Sequence, residues 1–324
     1  MIDALLVTAF VVYALWVGIR SRRQASEGLE AYFLAGRRLG GWQAGLSMTA
    51  TQYAADTPLL AAGLVATGGL FALWRLWVYG LAFLALGFLL GGCWWRAGVV
   101  TDAELCELRY GGRPAVVLRT LKAFYYGVLF NCAVLAMVLA ATVRIAELFL
   151  RFDLWLPVWL FEPIVELVRH VGVPLAVDPT GSEVWTRSAS NLISVVSIYA
   201  FTVLYSATGG LRSVVRTDRG QLGLLAAATG AYAWLAADAV GGFGALAPAL
   251  AATVGEARAE SLLALDPWRA ADVSGALLGV IGLQWLAQMN SDGTGYLAQR
   301  CMACRTPEEA RRAPVIFAFA QVGL

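Results

Sequence analysis

The sequence predicts an all-α, polytopic membrane protein, and three observations carry that prediction. Of its 324 residues 59% are hydrophobic and only 14% charged, where soluble domains hold about 25% charged residues; the mean hydropathy is +0.67. Several apolar runs reach the roughly 20 residues that a helix needs to cross a hydrocarbon core of about 30 Å. Basic residues also crowd every second loop, the pattern left by retention of Lys and Arg on the cytoplasmic side.

Taken in order, the spans fall at about 2–19, 41–66, 69–95, 119–149, 189–210, 217–240 and 273–291, and an eighth starts near 313. Only about a dozen residues of that last run precede Leu324, too few to cross, so a C-terminally truncated piece of something longer is expected. The first run is not a secretory signal, which carries its basic residues before the apolar stretch; here Asp3 precedes it and Arg20, Arg22 and Arg23 follow. It reads as a retained helix with its N-terminus outside. The segments 20–40, 96–122, 212–219 and 300–312 hold 17 of the 24 basic residues, while 144–187 and 258–269 on the other side hold 6. Seven complete crossings fit this alternation. Arg75 lies within the third span, where it either snorkels outward or faces a cavity as counter-charge to an aspartate.

The stretch "LWLPVWLFEPIVELVRHVGVPL", residues 154–175, is apolar enough to tempt a further span. Pro157, Pro163, Glu162, Glu166, Arg169 and His170 argue against one, and an extra crossing would move Arg212, Arg216 and Arg219 outside. It is predicted to be an external interfacial helix. Trp42, Trp94 and Trp95 sit at span ends, as interface-anchoring aromatics do. In "TPEEARRA", Thr306 caps a helix, Pro307 takes its first position and Glu309 its third. The five cysteines read as ordinary reduced thiols: Cys301 and Cys304 form one C-x-x-C, but zinc wants about four ligands and the one histidine, His170, is predicted on the opposite side.

One apolar stretch is interrupted. "TATQYAADTPLLAAG", residues 49–63, carries Gln52, Asp56, Thr57 and Pro58 inside the second span. It has a weak echo: "GLSMTATQYAADT" from Gly45 and "GLQWLAQMNSDGT" from Gly282 both start apolar and dissolve into polar residues, with Asp56 in the first and Asp292 in the second. Backbone leaving the helix at membrane depth loses hydrogen bonds worth several kcal/mol each, so such breaks must line a wet cavity or hold a cation. Two interrupted helices at matching places in two halves are the best sequence pointer to a transporter's central site. Either aspartate could also merely lie at a helix end near the interface.

Four motifs together resemble the sodium:solute symporter family. "EAYFLAGRRLGGWQAGLSMTAT" is similar to the start of that family's first core helix. "TDAELCELRYG" resembles its cytoplasmic "T-x-x-E-x-L-x-x-R-Y-G". "YSATGGLRSVVRTDRGQ" is similar to its "Y-T-x-x-G-G-L-x-A-V-x-W-T-D-x-x-Q", and "QRCMACRTPEEARRA" resembles its "Q-R-x-L-A-A-K-x-x-x-E-A-x-x-A". The resemblance implies a LeuT-type inverted-repeat fold with an incomplete second repeat, in one membrane domain. Residues 1–40 would be an extra N-terminal helix and cytoplasmic loop, 41–240 the first five-helix repeat, 241–272 an external loop and 273–324 the start of the second repeat.

The resemblance further implies a sodium-coupled secondary active symporter importing a small polar solute by alternating access, multi-pass in the plasma (inner) membrane. It places backbone-carbonyl sodium ligands on Ala50 and Tyr53. It places the solute against Gln52, Asp56 and Thr57 of the first break and Gln288, Asn290 and Asp292 of the second. Asp218 matches an acidic position on the ion's inward exit. Sugar carriers of the family have a Tyr-Trp pair where this chain reads Asn290-Ser291, which counts against a sugar. Two aspartates at the site instead suggest a cationic solute, or an aspartate that takes a proton or a second cation. The alternative is a symporter-like sensor module of a signalling protein. An enzyme is not expected, since no nucleophile with its base, metal cluster or phosphate loop is present, and neither is a nucleic-acid partner.

Overall fold

The computed structural model describes residues 2–270, 273–287 and 295–323. Among them the chain is helical, with an isolated β-bridge between Leu39 and Cys304. Four helices are long and apolar enough to cross a membrane: Leu5–Ala25, Leu70–Arg96, Gly112–Phe149 and Val184–Val240. With a mean hydropathy of +0.67, they make this a multi-pass membrane protein.

The seven predicted crossings are realised differently. The second is divided into Gly41–Gln52 and Asp56–Gly68. The fifth and sixth run together as Val184–Val240, broken only at Gly210, whose φ of 57° and ψ of −162° leave the helical region. Glycine is required there, because a Cβ would lie 2.6 Å from the Tyr32 carbonyl oxygen. The fourth starts earlier than predicted, at Gly112, and passes through a π-helical stretch, Tyr125–Phe130. The seventh is described as Gly275–Gln284 followed by the short turn Trp285–Ala287.

The 154–175 segment contains a 14-residue helix, Val158–Val171, too short to cross. It is amphipathic, and its Phe161, Val165 and Val168 are buried around Ala189 at the start of the Val184–Val240 helix. Nearby, Asn191 donates to Glu147 at 2.7 Å and to the Leu175 carbonyl at 2.9 Å, and Ser188 accepts from the Leu175 and Ala176 N–H groups. These bonds pin the connecting loop onto the helix ends.

The loops predicted to be cytoplasmic converge at the other end. Leu39 exchanges backbone hydrogen bonds with Ala303 and Arg305, Arg37 donates to the Trp95 and Val99 carbonyls, and Gln299 donates to the Phe33 carbonyl. Trp94 is buried in the main hydrophobic cluster and the Trp95 indole donates to the Cys304 carbonyl at 2.8 Å. These two tryptophans therefore pack inward instead of anchoring in the lipid interface, whereas Trp42 is exposed. Arg75 is exposed as well, which favours the outward orientation.

The main cluster forms around Pro307–Gly323, with Ala310, Ala313, Phe317 and Ala318 against Ala44, Met48, Phe83 and Leu86. Thr306 caps that helix, accepting from the Glu309 N–H at 3.2 Å. The Glu309 carboxylate accepts from the Gly41 N–H, capping the neighbouring half-helix, and from Arg305 at 2.8 Å.

Cys301 and Cys304 are buried here, and burial pushes the Cys301 thiol well above its usual pKa and the Cys304 thiol up to about 12. Since the thiolate is the reactive form, neither is expected to react with maleimide at neutral pH until the protein unfolds. Half-buried Cys106 should label in the native state. Mass mapping of labelled peptides checks both.

Candidate functional site

The central feature is the break in the second span. Gly41–Gln52 ends at Tyr53, whose φ of −83° and ψ of 85° are not helical, and Asp56 opens the next half-helix. The Ala54 N–H donates to the Gln52 carbonyl at 3.1 Å, and the Thr57 N–H donates to the Ala54 carbonyl at 3.1 Å. Both donors pass over the carbonyls of Ala50 and Tyr53, which helical continuation would have engaged. Carbonyl oxygens released in this way suit a hard cation. Asp56, in the first turn of its half-helix, faces the positive end of the helix dipole.

A cavity of about 930 Å³ adjoins the break. Thr51, Gln52, Ala54 and Asp56 line it on one side, Tyr126, Phe130 and Asn131 on another, and Tyr296 and Gln299 on a third. The π-helical stretch Tyr125–Phe130 thus turns toward the cavity, and π-bulges recur at functional sites. Toward the basic end the cavity's charges are already paired. Arg119 bridges Glu107 at 2.6 Å and Glu104 at 3.5 Å, and Lys122 lies 3.5 Å from Asp102. Asp56, by contrast, has no ionic partner among the described residues.

Beside the cavity a buried polar network joins three elements. Arg300, in Tyr296–Met302, donates through Nε to Ser47 at 3.2 Å and through Nη2 to Thr51 at 3.1 Å, both in the first half-helix. Its Nη2 also lies 3.6 Å from the Asp218 carboxylate, and the Ser47 hydroxyl donates to that carboxylate. Arg300 is 4% and Asp218 6% exposed. One turn away Tyr296 donates to the Gln52 side-chain oxygen at 2.7 Å, and its ring lies 5.5 Å from the Arg300 guanidinium. Buried charges persist only when paired and hydrogen-bonded, and each requirement is met here from a different helix.

The structure therefore brings Gln52 and Asp56 to the cavity. Thr57 turns its hydroxyl to the Gln52 carbonyl at 3.4 Å. Ala50 and Tyr53 stand away from the cavity lining, with the Tyr53 hydroxyl donating to the Gln321 carbonyl at 3.3 Å. Asp218 lies within the buried network. Gln288, Asn290 and Asp292 lie outside the described residues. Sequence reasoning missed Ser47, Asn131, Tyr296 and Arg300. A lone asparagine within the apolar fourth span was a usable signal for Asn131; Arg300 read as one more arginine of a basic loop.

Residues 32–178 match the family model described as "Sodium:solute symporter family". The chain is 26% identical to the sodium/glucose cotransporter 4 of Danio rerio over 240 residues, covering 74% of this chain and 30% of that protein. It is 24% identical to the sodium/glucose cotransporter of Vibrio parahaemolyticus over 321 residues, covering 98% of this chain and 51% of that one. The chain spans about a third to a half of the length of these relatives. Among solved structures it is similar to the substrate-bound, outward-open state of a Na+-coupled sialic acid symporter. The TM-score is 0.67 at 16% identity, covering 99% of this chain and 57% of that one. The fold is thus of the symporter type, and relatives that are carriers by name do not favour a sensor module.

Proposed function

From the match of residues 32–178 to the sodium:solute symporter family, we propose that the chain forms part of a sodium-coupled secondary active symporter that takes up a small polar solute by alternating access. The observation that carries this reading is the broken second span opening on a cavity, with the carbonyls of Ala50 and Tyr53 released from helical bonding. Sodium, the co-transported ion, is held by those two carbonyls. The solute lies against Gln52, Asp56 and Thr57, with Asn131 opposite, and Gln288, Asn290 and Asp292 complete its site from the second break. Sodium and solute each raise the other's affinity by the same factor, as linkage requires.

Residues 41–240 act as the first repeat and those from 273 as the start of the second, after an external loop at 241–272. The basic loops place the N-terminus outside, in the plasma (inner) membrane. Asp218 stands on the inward route of the ion, and its bond to Arg300 closes that route between three helices. The solute carries a positive charge that Asp56 balances: Arg119 and Lys122, the cations beside the cavity, are paired with Glu104, Glu107 and Asp102, so neither is left to balance Asp56.

Thermal unfolding of the purified full-length protein tests the reading. Sodium should raise the melting temperature where potassium and choline do not, and one member of a panel of sugars, amino acids, organic acids and amines should add to it. Absence of any sodium effect would sink the symporter reading. Asp56→Asn should keep the sodium shift and abolish that of a cationic solute; if the solute shift survives, the cationic assignment falls and symport stands.

A further inference from the structure

Six arginines lie on the N-terminal helix and on the segment after Gly210: Arg20, Arg22 and Arg23 on one, Arg212, Arg216 and Arg219 on the other. The two segments touch directly. The Tyr13 hydroxyl donates to the Arg216 carbonyl at 3.0 Å, and Arg216 Nη1 donates to Ser21 at 3.3 Å. Burial of the Arg216 guanidinium, and then the like charges of Arg212, Arg219 and Arg20, disfavour its charged form. None of the six forms an ion pair among the described residues, although most other arginines there do. Asp218, close in sequence, is committed to Arg300, and exposed Glu27 bridges to none of them.

A second feature leads into this cluster. Leu5, Thr8, Ala9, Val12, Tyr13 and Trp16 line a shallow, open apolar groove of about 490 Å³ on the N-terminal helix. Their spacing keeps them on one helical face, and the groove runs about 17 Å along the axis at 1.5 Å per residue. That is close to one leaflet of a hydrocarbon core about 30 Å thick. Its Trp16 end abuts the arginines, since the Arg20 guanidinium lies 5.1 Å over the Trp16 ring.

The geometry points to a binding site for an anionic phospholipid of the cytoplasmic leaflet, one acyl chain in the groove and its phosphate among Arg20, Arg212 and Arg216. Guanidinium groups bind phosphate oxygens in forked pairs, and basic clusters beside transmembrane helices attract anionic headgroups. An inorganic anion would use the arginines and leave the groove without a role. The lipid engages both, and its phosphate offsets the like charges gathered there.

The test is thermal unfolding of the purified full-length protein in detergent with phosphatidylglycerol, phosphatidylcholine or inorganic phosphate added. Phosphatidylglycerol should raise the melting temperature and the other two should not. Its affinity should fall about tenfold or more in Arg20→Gln/Arg216→Gln, and likewise in Ala9→Trp, which fills the groove without altering charge; Arg20→Lys/Arg216→Lys should keep part of it. Equal stabilisation by phosphatidylcholine overturns the proposal, as does stabilisation by phosphate alone or unchanged affinity in both variants. Should the variants misfold, phosphatidylglycerol with brominated acyl chains decides in the native protein. It should quench a fluorescence component that is missing from Trp16→Phe, and quenching of the same extent in both proteins overturns the assignment.

Discussion

Arg300→Met is expected to destabilise the fold by about 3–5 kcal/mol, the usual cost of removing one partner from a buried ion pair. The Asp218 carboxylate, only 6% exposed, would keep the Ser47 hydroxyl and lose its counter-charge. Ser47 and Thr51 would also lose the donor that ties the first half-helix to Tyr296–Met302. Asp218→Asn in the Arg300→Met background should recover much of the loss, because replacing both charges removes the uncompensated one. Arg300→Lys should fall between, since an ammonium keeps the charge but not the fork that reaches Ser47 and Thr51 together. Thermal melts of the wild type, Arg300→Met, Asp218→Asn and the double variant form a double-mutant cycle, and additive losses would show that the pair does not act as a unit. In a carrier, the same variants should shift the resting population toward the inward-open state. A cysteine introduced at Thr51 should then react faster with a membrane-impermeant maleimide applied from the cytoplasmic side.

The extent to which this site was legible depended on whether a residue's role is set by its own helix. Hydropathy located the long apolar helices Leu5–Ala25, Leu70–Arg96, Gly112–Phe149 and Val184–Val240, and Gln52, Asp56 and Pro58 in an apolar run located the break. The structure puts that break at Tyr53 to Ala55, because a carboxylate and a proline both belong in a helix's first turn. Arg300 was illegible for the converse reason. An arginine retained by the cytoplasmic side and one turned into a buried pair look alike until Asp218 and Ser47 are brought beside it. Trp94 and Trp95 behave the same way: an aromatic at a span end faces lipid or core according to which neighbour lies against it. Glu309 was expected at the third position of its helix and is found there, yet its carboxylate serves Gly41, a partner that no local pattern announces.

Substitution of the packing glycines should produce effects of opposite sign at positions that the sequence alone does not distinguish. Gly41 and Gly45 in one helix, and Gly87 and Gly91 in another, are spaced four apart and lie against Pro307–Gly323. A Cβ at Gly45 would stand 2.7 Å from the Ala313 carbonyl oxygen, and one at Gly91 2.6 Å from that of Ala310. Both obstacles are backbone, so the helix itself must move. Overpacking of this kind costs typically about 1–3 kcal/mol, and small residues at such contacts are what allow membrane helices to approach closely. Gly45→Ala and Gly91→Ala are therefore each expected to lower the melting temperature, and Gly91→Leu to prevent folding of the helix pair. Gly230, within Val184–Val240, has nothing within 4 Å of its ideal Cβ. There Gly230→Ala should stabilise by up to about 1 kcal/mol through helix propensity alone. If Gly91→Ala and Gly230→Ala shifted the melting temperature in the same direction, close packing of Pro307–Gly323 against two glycine faces would not be what holds this core together.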